Sequence, residues 1–237
     1  MTASFLHFDA AAPLAEPVTV RCKGILFDMD GILISSLGSV ERTWSTWALA
    51  RGIDPAFAIH AAHGCPAIET VRKLRPDLDD KAELKWLEDM EIADGDGIEV
   101  LPGVQALLAS LPASRWTVVT SATEKLARVR LETGGISIPE RFIAADMVER
   151  GKPNPEPYLR GAEILGLAPA DCVVFEDSGS GTKAGRAAGC TVIGTTFSHP
   201  IAELAAAHYL VADLTAVTIE AVPGDEEIAL HFTPLAV

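Results

Sequence analysis

The chain has 237 residues, 49% hydrophobic and 22% charged, enough to bury a sizeable core as one large domain or a core with a small insert. Its 19 basic residues against 33 acidic ones give a formal net charge of −14, which argues against nucleic acid or an anionic membrane as partner. An acidic protein that handles a phosphate must recruit a cation or concentrate a few positive groups locally.

Residues 1–17 lack the charged-then-apolar signature of a signal peptide and, with Pro13 and Pro17, read as an irregular arm on the surface. No apolar run approaches membrane-spanning length. The four cysteines, Cys22, Cys65, Cys172 and Cys190, form no C-x-x-C pair. Three of them sit beside apolar runs and read as small buried hydrophobes, and the set reads as belonging to a reducing cytoplasm, without disulfides. A monomer is the expected state.

Gly24-Ile25-Leu26-Phe27 is apolar without alternation, the pattern of a buried parallel-sheet strand. It runs into Asp28-Met29-Asp30-Gly31, two carboxylates and a glycine at a strand tip, where open α/β sheets place their chemistry. Asp28 is placed to attack an electrophile and Asp30 to move a proton. A D-x-D-G spelling also opens calcium loops, but Ile32-Leu33-Ile34-Ser35 supply none of the further oxygen ligands such a loop needs.

From about Ser36 to Val100 three helical stripes follow, on Val40, Trp44, Trp47 and Ala48, then Ile68, Val71 and Leu74, then Leu84, Leu87 and Met90. No strand interrupts them, so residues 37–100 read as an all-helical insertion, with Ala93-Asp94-Gly95-Asp96-Gly97 as its return hinge. Trp44 and Trp47 read as core of this insertion. His60 and His63 form an H-x-x-H pair without a third ligand nearby, so His63 is assigned a substrate contact rather than a metal.

From about Pro102 strand and helix patterns alternate, as in a parallel doubly wound sheet. Strands are expected at Arg115–Thr120, Arg141–Ala145, Asp171–Glu176, Cys190–Gly194 and Tyr209–Val211, with helices at Val104–Leu111 and Pro155–Leu165. Thr120 and Ser121, at a strand end and helix start, suit a phosphate or serve as an ordinary N-cap. Lys152, between Gly151 and Pro153, is placed to neutralise an oxyanion or simply to face solvent. Glu176 and Asp177, at a second strand tip, complete an oxygen-rich site for Mg²⁺. The glycines of Ser178-Gly179-Ser180-Gly181 have the wrong spacing for a dinucleotide fingerprint, and no Walker A sequence occurs. Taken together, nucleophile, hydroxyl, lysine and acid pair fall at sheet tips in a consistent order and are the parts a Mg²⁺-dependent phosphoryl transfer needs.

In Asp28-Met29-Asp30-Gly31, Thr120-Ser121, Lys152-Pro153 and Glu176-Asp177 the chain resembles the haloacid dehalogenase superfamily, from about Gly24 to Leu214. The stretches Gly151–Tyr158 and Val174–Gly181 resemble its sugar-phosphate and glycerol-phosphate phosphatase branch. The resemblance implies an α/β core domain at 18–36 and 101–237, a helical cap of the C1 type at 37–100, and Mg²⁺-dependent hydrolysis of a small phosphorylated sugar or polyol. Asp28 would become a phosphoaspartate, and Asp30 would protonate the leaving alcohol and then deprotonate water. The metal would be held by Asp28, the Asp30 main-chain carbonyl and Asp177, with Glu176 adjacent. Ser121 or Thr120 would bind the phosphate, and Lys152 would offset charge on Asp28 and the phosphoryl oxygens. The chain has Ile32 where the family usually carries Thr or Val. His63–Ile68 lacks the arginine by which phosphomutases of this branch grip a second phosphate, which favours hydrolase over a β-phosphoglucomutase-like enzyme. A non-catalytic phosphometabolite sensor would have no use for Asp30, and a dehalogenase none for a second acid or magnesium.

Overall fold

A computed structural model of the chain describes residues 15–62, 67–221 and 227–236. Most of the expected N-terminal arm, together with His63 and Cys65, lies outside the described residues. In chain order the elements are β1 (Val18–Cys22), β2 (Gly24–Phe27), β3 (Ile34–Ser35), α1 (Leu37–Ala50), α2 (Pro55–Ala62), α3 (Ala67–Leu74), α4 (Asp80–Ala93) and β4 (Glu99–Val100). They continue with α5 (Val104–Ala109), β5 (Trp116–Val118), α6 (Glu124–Thr133), α7 (Glu156–Ile164), β6 (Cys172–Glu176), α8 (Gly179–Ala188), β7 (Thr191–Thr195), β8 (Tyr209–Val211), β9 (Val217–Ala221) and β10 (Ile228–Phe232).

The centre is a parallel sheet in the order β5-β2-β6-β7-β8. Its strands read as continuous apolar runs because both faces are covered. Ile25, Phe27, Val118, Val173 and Phe175 pack on one face with Val104, Leu107, Ala127 and Leu131 of α5 and α6. Leu26, Val174 and Val192 pack on the other with Tyr158, Ala162, Ala184 and Ala188 of α7 and α8. This is the doubly wound α/β architecture expected from the alternation of patterns.

Three features depart from expectation. Arg141–Ala145 is no strand: it makes a single bridge, Ile143 to Val119. Phe142, Ile143 and Ala144 are buried instead as loop. The insertion contains a further helix, α2, whose only buried residue is Ala58, too few to leave a stripe in the sequence. A three-stranded antiparallel sheet, β1-β10-β9, flanks the core, pairing Val18 with Phe232 and Phe232 with Val217.

The helices α1 to α4 run between β3 and β4, which pair with each other as a short ribbon. Trp44, Trp47, Ala58, Val71 and Leu87 form a separate apolar cluster there. Trp47 is fully buried and its indole N–H donates to Glu83 at 2.6 Å, which fits a packing role. His60 is exposed. Cys22, Cys172 and Cys190 are buried free thiols. Among the described residues no helix is long and apolar enough to cross a membrane.

Candidate active site

Register in the parallel sheet puts the acids side by side. Phe27 is level with Val118 on one neighbour and Phe175 on the other. The residue after Phe27 therefore emerges beside the ends of β5 and β6, and the Asp28 amide donates to the Phe175 carbonyl at 3.0 Å. Asp28, Glu176 and Asp177 are 8%, 0% and 5% exposed, and each offers a carboxylate oxygen within 4.8 Å of the others.

The turn beyond β2 is folded by its own backbone. Gly31 N–H donates to the Ile34 carbonyl at 2.7 Å and Leu33 N–H to the Met29 carbonyl at 2.9 Å. Gly31 has φ +82°, and a Cβ there would fall 1.7 Å from Asp177 Oδ2, so only glycine lets the two tips approach. Gly181 does the same for Glu176, where a Cβ would lie 1.6 Å from Oε1.

Lys152 enters this acidic group from the loop before α7. That loop is closed by Glu156, whose carboxylate accepts from the Glu149 and Arg150 amides at 2.9 and 3.0 Å. The Lys152 side chain is 4% exposed and spends all three N–H groups: on Asp28 Oδ1 at 2.6 Å, Glu176 Oε1 at 2.7 Å and the Val119 carbonyl at 2.9 Å. Burial opposes its charge, yet the two carboxylates hold its pKa above the ordinary lysine range.

The three acids are held differently. Burial raises the Asp28 pKa to about 7, partly offset by Lys152, with the Glu176 charge adding to the rise. Burial, together with the neighbouring Glu176 and Asp28 charges, pushes Asp177 well above the ordinary carboxylate range. Glu176 is also penalised by burial, but Lys152 and its hydrogen-bond donors hold it below the usual range. Its Oε1 also accepts from Tyr158 OH at 2.8 Å. Its Oε2 accepts the Asp177 amide, the Ser178 amide and the Ser178 hydroxyl, each at 3.0 Å. Five donors thus saturate Glu176, which anchors Lys152, while Asp28 and Asp177 hold less committed oxygens. Ser198 Oγ donates to Asp177 Oδ2.

This donor set fits a divalent cation. One lysine faces three buried carboxylates, and the two acids not saturated by donors are those whose charge is disfavoured. A hard cation with oxygen ligands would reverse that penalty.

Asp30 stands beside the group. Its Oδ2 accepts from Arg130 Nη1 at 2.8 Å, while Oδ1 is buried with no hydrogen-bond partner among the described residues. At the end of β5, Thr120 is 4% exposed and its Oγ1 accepts the Ala122 amide at 3.0 Å, whereas Ser121 is exposed at the tip.

The structure thus gathers Asp28, Glu176, Asp177 and Lys152, with Asp30, Thr120 and Ser121 on the adjoining tips; His63 lies outside the described residues. Sequence reasoning missed Arg130, Tyr158 and Ser198. Arg130 had a legible signal: it falls three and four residues after Ala127 and Leu126, on the buried stripe of α6. Tyr158 sits in Gly151–Tyr158 but was assigned no role, and Ser198 left no signal.

A family model described as haloacid dehalogenase-like hydrolase matches residues 22–189. The chain is 40% identical over 214 residues to Hexitol phosphatase A of Escherichia coli, covering 88% of this chain and 99% of that protein. It is 36% identical over 198 residues to Glycerol-1-phosphate phosphohydrolase 1 of Saccharomyces cerevisiae, covering 77% and 78%. Among solved structures it is similar to a HAD family hydrolase from Deinococcus radiodurans with bound phosphate and sodium. The TM-score is 0.63 at 26% identity, over 82% of this chain and 92% of that one.

Proposed function

Because this chain belongs to the haloacid dehalogenase-like hydrolase family, we propose that it is a Mg²⁺-dependent phosphatase of a small phosphorylated sugar or polyol, acting through a phosphoaspartate on Asp28. The observation that carries this reading is the buried group Asp28, Glu176, Asp177 and Lys152 at the tips of β2 and β6.

Asp28 is the nucleophile: a carboxylate oxygen attacks phosphorus as the ester P–O bond breaks and Asp30 gives its proton to the departing alcohol oxygen. Asp30, now a carboxylate, takes a proton from water. That water attacks the phosphorus of the acyl phosphate, releasing inorganic phosphate and restoring Asp28. Lys152 favours the ionised form of Asp28 and orients it, and Glu176 with Tyr158 keeps Lys152 in place. Ser121, exposed at the β5 tip, hydrogen-bonds the phosphoryl group, with Thr120 shaping the loop beneath it. Asp28, Asp177 and the Asp30 carbonyl, with Glu176 alongside, would hold Mg²⁺, which when bound would supply the positive charge for a phosphate dianion to approach an acidic pocket.

Residues 37–100 serve as a helical cap on a core of 18–36 and 101–237, and His63 is placed among its substrate contacts. The enzyme works as a cytoplasmic monomer on a diffusible metabolite. The names of the curated relatives support hydrolysis over the mutase reading. Free phosphate should be measured with sorbitol 6-phosphate, glycerol 1-phosphate, 2-deoxyglucose 6-phosphate and phosphoglycolate. Release that requires Mg²⁺ and is fastest on a sugar or polyol phosphate is expected. Full activity in excess chelator, or isomer formation without phosphate release, would sink the reading.

A further inference from the structure

We propose that Arg130 is the positioning residue of the proton-transfer step, and that it acts by holding the Asp30 carboxyl in one orientation. The inference rests on the reading of Asp30 as acid and base. Arg130 is permanently charged and can only donate hydrogen bonds. The oxygen it holds, Asp30 Oδ2 at 2.8 Å, is therefore an acceptor in both protonation states of the carboxyl. The other oxygen, Oδ1, is buried with no hydrogen-bond partner among the described residues, so the bond from Arg130 is what sets the orientation of the carboxyl.

Such a clamp is needed because Asp30 is otherwise loosely held. Its side chain is 31% exposed, on a turn whose other hydrogen bonds are made by backbone. Without a fixed partner the carboxyl rotates, and the proton-bearing oxygen is misplaced for part of the time. Arg130 is itself immobile: its side chain is 7% exposed, and Nη2 donates to Glu91 of α4 at 3.1 Å. A second contact on the same seam, Thr123 Oγ1 to Glu88, lies about one turn earlier on α4. The clamp on Asp30 is thus braced by the helical insertion. Arg130 touches no reacting atom, and it acts through Asp30.

The test separates leaving groups. An alkyl phosphate needs its departing oxygen protonated, whereas p-nitrophenolate leaves without that help. The ratio of kcat/KM for sorbitol 6-phosphate and p-nitrophenyl phosphate reads the first phosphoryl transfer and therefore the acid. Arg130→Met is expected to lose at least ~10-fold on sorbitol 6-phosphate, part of the 10²–10⁴-fold that general acid catalysis supplies. Its loss on p-nitrophenyl phosphate should be under about threefold, since that ester draws little on the acid. Asp30→Asn should show the same split in larger form, and Glu91→Gln in smaller form. Arg130→Lys, which keeps a donor, should recover part of the ratio and gives the same reading if the Met variant fails to fold. Equal losses of Arg130→Met on both esters, with Asp30→Asn still selective, would overturn the role of Arg130 and spare that of Asp30. An unselective Asp30→Asn would overturn both.

Discussion

Asp28→Asn is expected to have no measurable phosphatase activity and yet, at pH 8 in chelator, to melt at a higher temperature than the parent. Activity is lost because an amide is no nucleophile toward phosphorus and cannot form the acyl phosphate. Stability moves the other way because the folded protein holds this carboxyl at about 7, above its ordinary 3.8. A group raised in this way contributes stability that is fully present below its unfolded pKa and is lost as pH rises through about 7. At pH 8 without metal the Asp28 charge therefore works against folding, and a neutral isostere removes the penalty. The gap should narrow toward pH 5, where the parent carboxyl is already protonated in the fold. Added Mg²⁺ should stabilise the parent more than the variant, because a ligand that binds only the folded state stabilises by mass action. Melting curves at pH 5 and 8, in chelator and in Mg²⁺, check all three statements. A variant less stable than the parent at pH 8 in chelator would mean that the Lys152 bond outweighs the crowding of the acids.

Lys152→Met is expected to lower both activity and stability. Its three donors stand within 2.9 Å of Asp28, Glu176 and the Val119 carbonyl, all inside the fold. Deleting one partner of a buried ion pair leaves uncompensated charge and costs about 3–5 kcal/mol. The rate should fall at least ~10²–10³-fold, the scale on which removal of a preorganised donor is felt. Arginine should not rescue it, because a planar guanidinium cannot place three donors around the point that one ammonium occupies. Denaturant unfolding and kcat on the best substrate measure the two losses. A stable, active Lys152→Met protein would remove the lysine from the account.

The parts of the site that were legible in sequence are those the sheet imposes locally. Gly24–Phe27 is an uninterrupted apolar run ending at a charged residue, so its tip, and with it Asp28, is marked by composition alone. Tyr209–Val211 is equally plain. Arg141–Ala145 misled because burial in a loop and burial in a strand leave the same apolar spelling, and only a bridge at Ile143 formed. The flanking sheet was hidden for a different reason. Val18, Val20 and Cys22 do alternate with polar residues, but their partners lie at Phe232, Leu230 and Ile228, at the other end of the chain. Arg130 shows the same limit for charge. An arginine on an apolar stripe is readable, but its partners Asp30 and Glu91 are 100 and 39 residues away and no local pattern points to them. The saturation of Glu176 by five donors also emerges only in three dimensions, since Lys152, Tyr158, Asp177 and Ser178 come from two separate segments.

The covalent role of Asp28 is tested most directly by acid-quenching the enzyme within its first turnovers on excess sorbitol 6-phosphate and Mg²⁺, then mapping the phosphorylated peptide. The account predicts an acid-stable, base-labile phosphoryl group on Asp28, formed before phosphate release and absent from Asp28→Asn. Turnover with no protein-bound phosphoryl group, or with one carried by any other residue, would contradict it.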